Sequence, residues 1–230
     1  ISNYLMKRAQ SLGYKGLGRV VPNAVDAQAF AFKLNKRERT ALRKKWGFGE
    51  DDYVLITTSR LVVKNGVADI IKALAYLPKE VKFLCIGSGP LDSELKLLAK
   101  SYKLEDRIVW QGLVPNNELP MYLAASDVFV RPSLSEGLGI SFLEAMAAGL
   151  PLIATPVGGI PDFLKDGITG LVCEVGNPVS IADCVKRLIG NPNLRQEISK
   201  WAHEAVLERY SWSNVVGEIS DVFTSVIAKS

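Results

Sequence analysis

From Tyr53 onward, short apolar runs alternate with segments of helical periodicity, and this alternation leaves the chain very few folds to adopt. Candidate strands fall at 54–58, 81–86, 108–111, 128–131, 152–155 and 171–174. Helical patterns fill the gaps at 68–77, 91–102, 117–125 and 140–149, and three more follow at 180–189, 193–210 and 213–228. Strands separated by helices must run parallel, so the expected class is α/β. The predicted architecture is a Rossmann-like doubly wound parallel sheet of about six strands with helices on both faces.

In such a sheet, ligands bind outside the carboxyl ends of the strands. The residues that follow the strands are Ser59-Arg60, Gly87-Ser88-Gly89, Gly112, the run from Pro132 to Gly139, and the run from Pro156 to Gly159. A single turn glycine there is weak evidence. An arginine, two glutamates and close-approach glycines gathered on one edge favour a ligand that carries a polyphosphate.

The stretch PSLSEGLGISFLEAMAAGLPLIATPVGG, residues 132–159, sharpens this. Glu136 precedes Gly137-Leu138-Gly139, and an apolar helix starting near Ile140 has Glu144 as its only charge. A glutamate is rarely buried without a partner. Helical side chains lean toward their own N-terminus, so Glu144 is expected to project back toward the glycine turn, where unpaired N–H groups also point. Those N–H groups and the helix dipole favour a phosphate, and the carboxylate can accept hydrogen bonds from two adjacent hydroxyls of a ribose. A nucleotide has both groups. The plainer reading, in which Glu136 caps the helix and Glu144 bonds to a neighbouring loop, remains open on residue chemistry alone.

A dinucleotide fingerprint fits poorly. Gly87-Ser88-Gly89-Pro90-Leu91-Asp92 follows the second strand, not the first, and Asp92 stands where the third glycine belongs. With 230 residues and 48% hydrophobic content, the chain can bury one large core. No apolar run reaches the ~18 residues of a membrane span, and no signal peptide opens the chain. The first residue is Ile, so a fragment or processed product is expected, with a helical start at 1–12. Cys85, Cys173 and Cys184 lack metal-ligand spacing and read as reduced core residues of a cytoplasmic protein. The sole histidine, His203, falls on a C-terminal helix and is read as satisfied or exposed. Lys33, Lys36, Arg37, Arg39, Arg43, Lys44 and Lys45 crowd one segment that ends at Trp46. They are read as a solvated amphipathic helix with Leu42 and Trp46 inward, whose charge also suits peripheral contact with acidic lipid at the inner face of the cell membrane. Nucleic acid is not an expected partner, because no aromatic residues interleave with those charges.

Taken together, the motifs resemble a family. From Pro22-Asn23 to its end the chain resembles the donor-binding, C-terminal half of retaining GT-B glycosyltransferases, the glycosyltransferase group 1 or GT4 family. The most specific mark is Glu136-x7-Glu144 within EGLGISFLEAMAAGLP. VVPNAVD at 20–26, SRLVVKNG at 59–66, IGSGP at 86–90 and GGIPDFLKDGITGLV at 158–172 support it.

The resemblance implies roles for individual positions. Arg60, beside Ser59, would hold the donor diphosphate, and the amides of Gly137, Leu138, Gly139 and Ile140 would line phosphate and sugar. Glu136 would bind donor-sugar hydroxyls and Glu144 the ribose, while Gly87, Gly112 and Val114 would shape the base pocket. Arg60 and Glu136 are the catalytic candidates. The family usually has a phosphate-binding lysine immediately before the glycine matching Gly66. Here that position is Asn65, with Lys64 one residue earlier, so Arg60 is expected to carry most of the cationic stabilisation. Asn23-Ala24 stands where the family commonly has Asn-Gly.

The expected organisation is 1–24 as a remnant of an N-terminal domain and hinge, 25–210 as the donor-binding domain, and 211–230 as a helix crossing back. The apolar face of that helix, with Val216, Ile219 and Phe223, is expected to be partly unsupported. The implied activity is hexosyl transfer, with retention, from a nucleotide diphosphate sugar to an acceptor sugar or lipid-linked sugar bound by the N-terminal domain. No cofactor and no metal are expected, and the chain alone is expected to be inactive. A sugar-nucleotide epimerase or phosphorylase of the same architecture, or a non-catalytic nucleotide-sugar-binding module, are the alternatives.

Overall fold

The computed structural model describes residues 1–227. Six strands form one sheet: β1 (Tyr53–Thr58), β2 (Val81–Ile86), β3 (Ile108–Gly112), β4 (Val128–Arg131), β5 (Leu152–Ala154) and β6 (Leu171–Val172). Their order is β3-β2-β1-β4-β5-β6, and every neighbouring pair is parallel. The chain therefore reverses its winding direction between β1 and β4, the switch point at which open sheets of this kind leave a crevice.

Ten helices accompany the sheet among the described residues: α1 (Asn3–Ser11), α2 (Ala27–Phe30), α3 (Lys36–Lys45), α4 (Val67–Leu74), α5 (Asp92–Ser101), α6 (Leu119–Ala124), α7 (Ile140–Ala147), α8 (Pro178–Gly190), α9 (Pro192–Arg209) and α10 (Trp212–Ile227). Alternation along the strands splits the core into two layers. Val54, Ile56, Leu84, Ile86, Phe129 and Leu152 share one layer with α7 and α9, through Phe142, Leu143, Met146, Ala202 and Val206. Leu55, Phe83, Cys85, Val128, Val130 and Ile153 share the other with α4 and α8, through Ile70, Ile71, Leu74, Ile181, Val185 and Leu188. The expected doubly wound α/β sheet of six parallel strands is thus present.

Differences from the sequence expectation are local. β5 stops at Ala154, one residue early, because Thr155 turns its hydroxyl to donate to the Ser133 carbonyl at 2.5 Å. β6 ends at Val172, although Cys173 still donates its amide to Ala154 O at 2.9 Å. The last helix was expected to run to Ala228, which lies outside the described residues.

The basic segment corrects its simple reading as a solvated face. Arg43 is only 4% exposed. Its guanidinium donates to Ala125 O and Asp52 O, each at 2.8 Å, and pairs with Asp127 at 2.7 Å. Arg39 pairs with the other Asp127 oxygen at 2.5 Å, and the Val54 amide donates to Asp127 at 2.7 Å. Two of the seven cations therefore pin α3 to the sheet. Trp46 is half-buried as expected and stacks on Tyr122 with ring centroids 5.2 Å apart.

Cys85, Cys173 and Cys184 are free, and burial pushes the first two thiols up to about 12 and the third to about 11. His203 Nδ1 lies 2.9 Å from Ala147 O at the C-terminus of α7, a satisfied histidine away from the crevice. Val216, Ile219 and Phe223 on α10 are 54%, 39% and 65% exposed. No described helix is long and apolar enough to cross a membrane.

Candidate functional site

Two adjoining hollows open at the carboxyl edge of the sheet, of about 680 and 810 Å³, and they share Thr58, Ser59, Arg60 and Ser141. Either is of the size that holds a small ligand. The first is walled by Gly87, Ser88, Gly89, Val114 and Glu144, and the second by Lys64, Asn65, Arg131, Glu136 and the Gly137–Ile140 turn.

The turn is held open by close backbone contacts. A Cβ on Gly158 would sit 1.8 Å from Glu136 O, and Gly158 has φ +58°. Only glycine brings these two loops together. Gly87 does the same on the other side, where a Cβ would meet Ser59 O at 1.9 Å. Its amide donates to Gly112 O at 2.8 Å, so Gly112 supports the wall of the first hollow from behind and does not line it.

At the centre lies the start of α7. Its N-cap is Gly139 with φ +88°, and no side chain caps it. The plainer sequence reading, Glu136 as the helix cap, does not hold. Glu136 Oε1 accepts from the Gly137 amide at 3.0 Å, and Oε2 accepts from Arg131 at 2.5 Å. In the first turn of α7 the Phe142 amide donates to Gly139 O at 3.1 Å, while the Ile140 and Ser141 amides have no partner among the described residues and belong to residues lining the crevice, a polarity that suits an anion.

One turn further in, the Glu144 carboxylate has no hydrogen-bond or ion-pair partner among the described residues, so it does not bond to a neighbouring loop either. Burial raises its pKa above the ordinary carboxylate value. A half-buried, unpartnered carboxylate is costly unless a ligand supplies donors. The hydroxyls of Thr58 and Ser59 are likewise buried without partners in the same wall. Of these groups it is the Glu144 carboxylate that is open to a polar ligand in the hollow.

The cations are distributed unevenly. Arg60 and Lys64 are exposed on the wall and engage no carboxylate among the described residues. Asn65 is 2% exposed, and its amide is engaged on both sides: Nδ2 donates one hydrogen to Arg60 O at 2.6 Å and Oδ1 accepts from Arg131 at 3.0 Å. Asn65 thus ties the Arg60 backbone to the Arg131 side chain. Leu138, 2% exposed, anchors the turn in the core.

Arg131 was missed by the sequence reading, which took it as the end of a strand. Its one signal was a lone cation closing the apolar run Val128-Phe129-Val130 just before the crevice loop. It is 8% exposed, packs its guanidinium 5.1 Å from the Phe142 ring, and donates to Glu136, Asn65 and, at 2.7 Å, Ser141 Oγ. Burial draws its pKa below the usual arginine value, with the Glu136 carboxylate acting in the opposite sense.

The N-terminal segment also reaches the site. Ile1 and Leu5 line the second hollow with Asn23, and Asn3 donates twice to Asp162, from its backbone at 2.8 Å and its side chain at 3.1 Å. No group of three or more His, Cys, Asp or Glu side chains that could hold a metal occurs among the described residues.

Residues 38–205 match the family described as Glycosyl transferases group 1. Among curated relatives, the chain is 33% identical over 211 residues to the N-acetyl-alpha-D-glucosaminyl L-malate synthase of Bacillus anthracis, covering 91% of this chain and 54% of that protein. It is 31% identical over 232 residues to a GDP-mannose-dependent alpha-(1-6)-phosphatidylinositol monomannoside mannosyltransferase of Mycobacterium tuberculosis, covering 96% of this chain and 60% of the relative. The chain thus spans little more than half the length of these relatives. Among solved structures, it superposes on Anabaena HepE in complex with UDP-glucose with a TM-score of 0.87 and 25% identity, over 94% of this chain and 60% of the other. Sequence, sheet topology and crevice agree: the chain belongs to the group 1 glycosyl transferases.

Proposed function

We propose that the crevice binds a nucleotide diphosphate sugar and that the protein transfers its hexose, with retention at the anomeric carbon, to an acceptor sugar or lipid-linked sugar. The observation that carries this reading is the unpartnered Glu144 carboxylate behind the uncapped start of α7. The ribose diol satisfies Glu144, the α7 amides and Arg60 take the diphosphate, and Glu136 takes hydroxyls of the sugar. Bond cleavage places charge on the leaving diphosphate, where fixed donors stabilise the transition state without a metal; one such donor is typically worth ~2.7–4 kcal/mol of barrier. HepE was solved with UDP-glucose and the mycobacterial relative is named for GDP-mannose, so the base is the variable part of the reading.

Calorimetric titration of the chain with UDP, GDP and ADP and their glucose or mannose conjugates tests the proposal, beside Glu144→Ala. One base series should bind, and the substitution should weaken it by about tenfold or more, as expected for lost hydrogen bonds to a charged acceptor worth ~1.5–3 kcal/mol. Equal binding by the variant would overturn the ribose role. Binding by none would overturn the donor-site reading.

A further inference from the structure

We propose that Arg131 is the positioning residue of the donor site, fixing Glu136 as an acceptor for the sugar and Ser141 as a donor to the diphosphate. The inference rests on the crevice being a nucleotide diphosphate sugar site and adds two residues to it. Burying a guanidinium is expensive, and one carboxylate partner repays it only with good geometry. Arg131 spreads its fork over three side chains from three different segments: Asn65 ahead of α4, Glu136 in the glycine turn, and Ser141 in the first turn of α7. A planar fork of this kind sets direction as well as distance.

Each contact leaves its partner with one remaining option. Ser141 Oγ accepts from Arg131, so its own hydroxyl proton is free to donate, and Ser141 lines both hollows beside the open α7 amides. A phosphate oxygen there would receive that proton. Glu136 uses one lone pair of each oxygen on Gly137 and Arg131, so the remaining lone pairs face the second hollow as acceptors for sugar hydroxyls. Asn65 is neutral and pinned to the Arg60 carbonyl, which makes it the seat that holds the fork in place. A lysine at 65 would bring a second cation against Arg131, so the pair reads as one design with its charge on β4. Arg131 is only 8% exposed at the wall of the second hollow and both terminal nitrogens are engaged by protein side chains, so it acts chiefly through Ser141 and Glu136 and by its fixed charge.

The test compares the affinity ratio of nucleoside diphosphate to monophosphate, using UDP with UMP and GDP with GMP, across variants that retain a cooperative melt. In Arg131→Leu the ratio should fall by about tenfold, because only the outer phosphate depends on Ser141 and the buried charge. A purely structural role would weaken both nucleotides equally. Asn65→Lys combined with Arg131→Leu should recover most of the ratio by returning a cation to the same spot. Should Arg131→Leu fail to fold, Ser141→Ala keeps the Arg131 contacts to Glu136 and Asn65 and should lower the ratio by about threefold. An unchanged ratio in the folded variants would overturn the inference while leaving the donor site standing. Failure of the unsubstituted chain to bind any nucleoside diphosphate would instead sink the donor reading and this inference with it.

Discussion

Glu144 holds a charge that the free fold does not welcome. Burial raises its pKa, so the folded chain binds that proton more tightly than the unfolded chain does. The sign follows: protonation favours the folded state, and the contribution is lost as pH rises from the ordinary carboxylate value through the raised one. At neutral pH, Glu144→Gln should therefore raise the melting temperature of the unliganded chain, at about 2–4 °C per kcal/mol relieved in a domain of this size. The same change should weaken nucleotide binding, and wild-type affinity should fall as pH drops through the raised pKa. Melting curves and titrations between about pH 5 and 8 check both. A variant that melts lower and binds as before would show that Glu144 has a protein partner after all.

At the scale of elements, the crevice exists because loops from distant strands touch through backbone. Gly158, in the loop after β5, lies against the Glu136 carbonyl in the loop after β4, and a Cβ there has no room at 1.8 Å. Gly158→Ala should cost about 1–3 kcal/mol of stability and at least tenfold in affinity for the diphosphate nucleotide. Gly176→Ala is the control, since it has a similar φ of +66° and open space around the would-be Cβ. If both variants melt and bind alike, backbone strain alone explains the loss and the loop contact does not shape the site. These elements were legible from sequence to different degrees. Strands β1, β2 and β4 announce themselves as apolar runs, and the glycine-rich turn with its two glutamates marks the site. Arg131 did not stand out, because its partners lie 5, 10 and 66 residues away and only the packed sheet brings them to one guanidinium. The structural use of Arg43 was hidden for the same reason, since Asp127 is 84 residues from it.

For the whole molecule, the switch between β1 and β4 means that no single segment makes the site. Arg60 follows β1, Gly87 follows β2, and Glu136 and Glu144 come after β4, so an unfolded chain presents these groups far apart. A donor that spans them binds the folded state and not the unfolded one. Binding must then appear as global stability: at a ligand concentration one hundred times Kd the gain is ~2.7 kcal/mol, or about 5–10 °C in melting temperature for a domain of this size. The shift should grow logarithmically with concentration for one base series. For Glu144→Ala it should be smaller at equal concentration, by the amount its weaker Kd dictates. Both cores must respond together, because the two layers share the six strands that carry the loops. A donor that gave heat without moving the melt would be binding folded and unfolded chain alike and not the crevice, and a full-sized shift in the Glu144→Ala variant would place the ligand elsewhere on the folded chain.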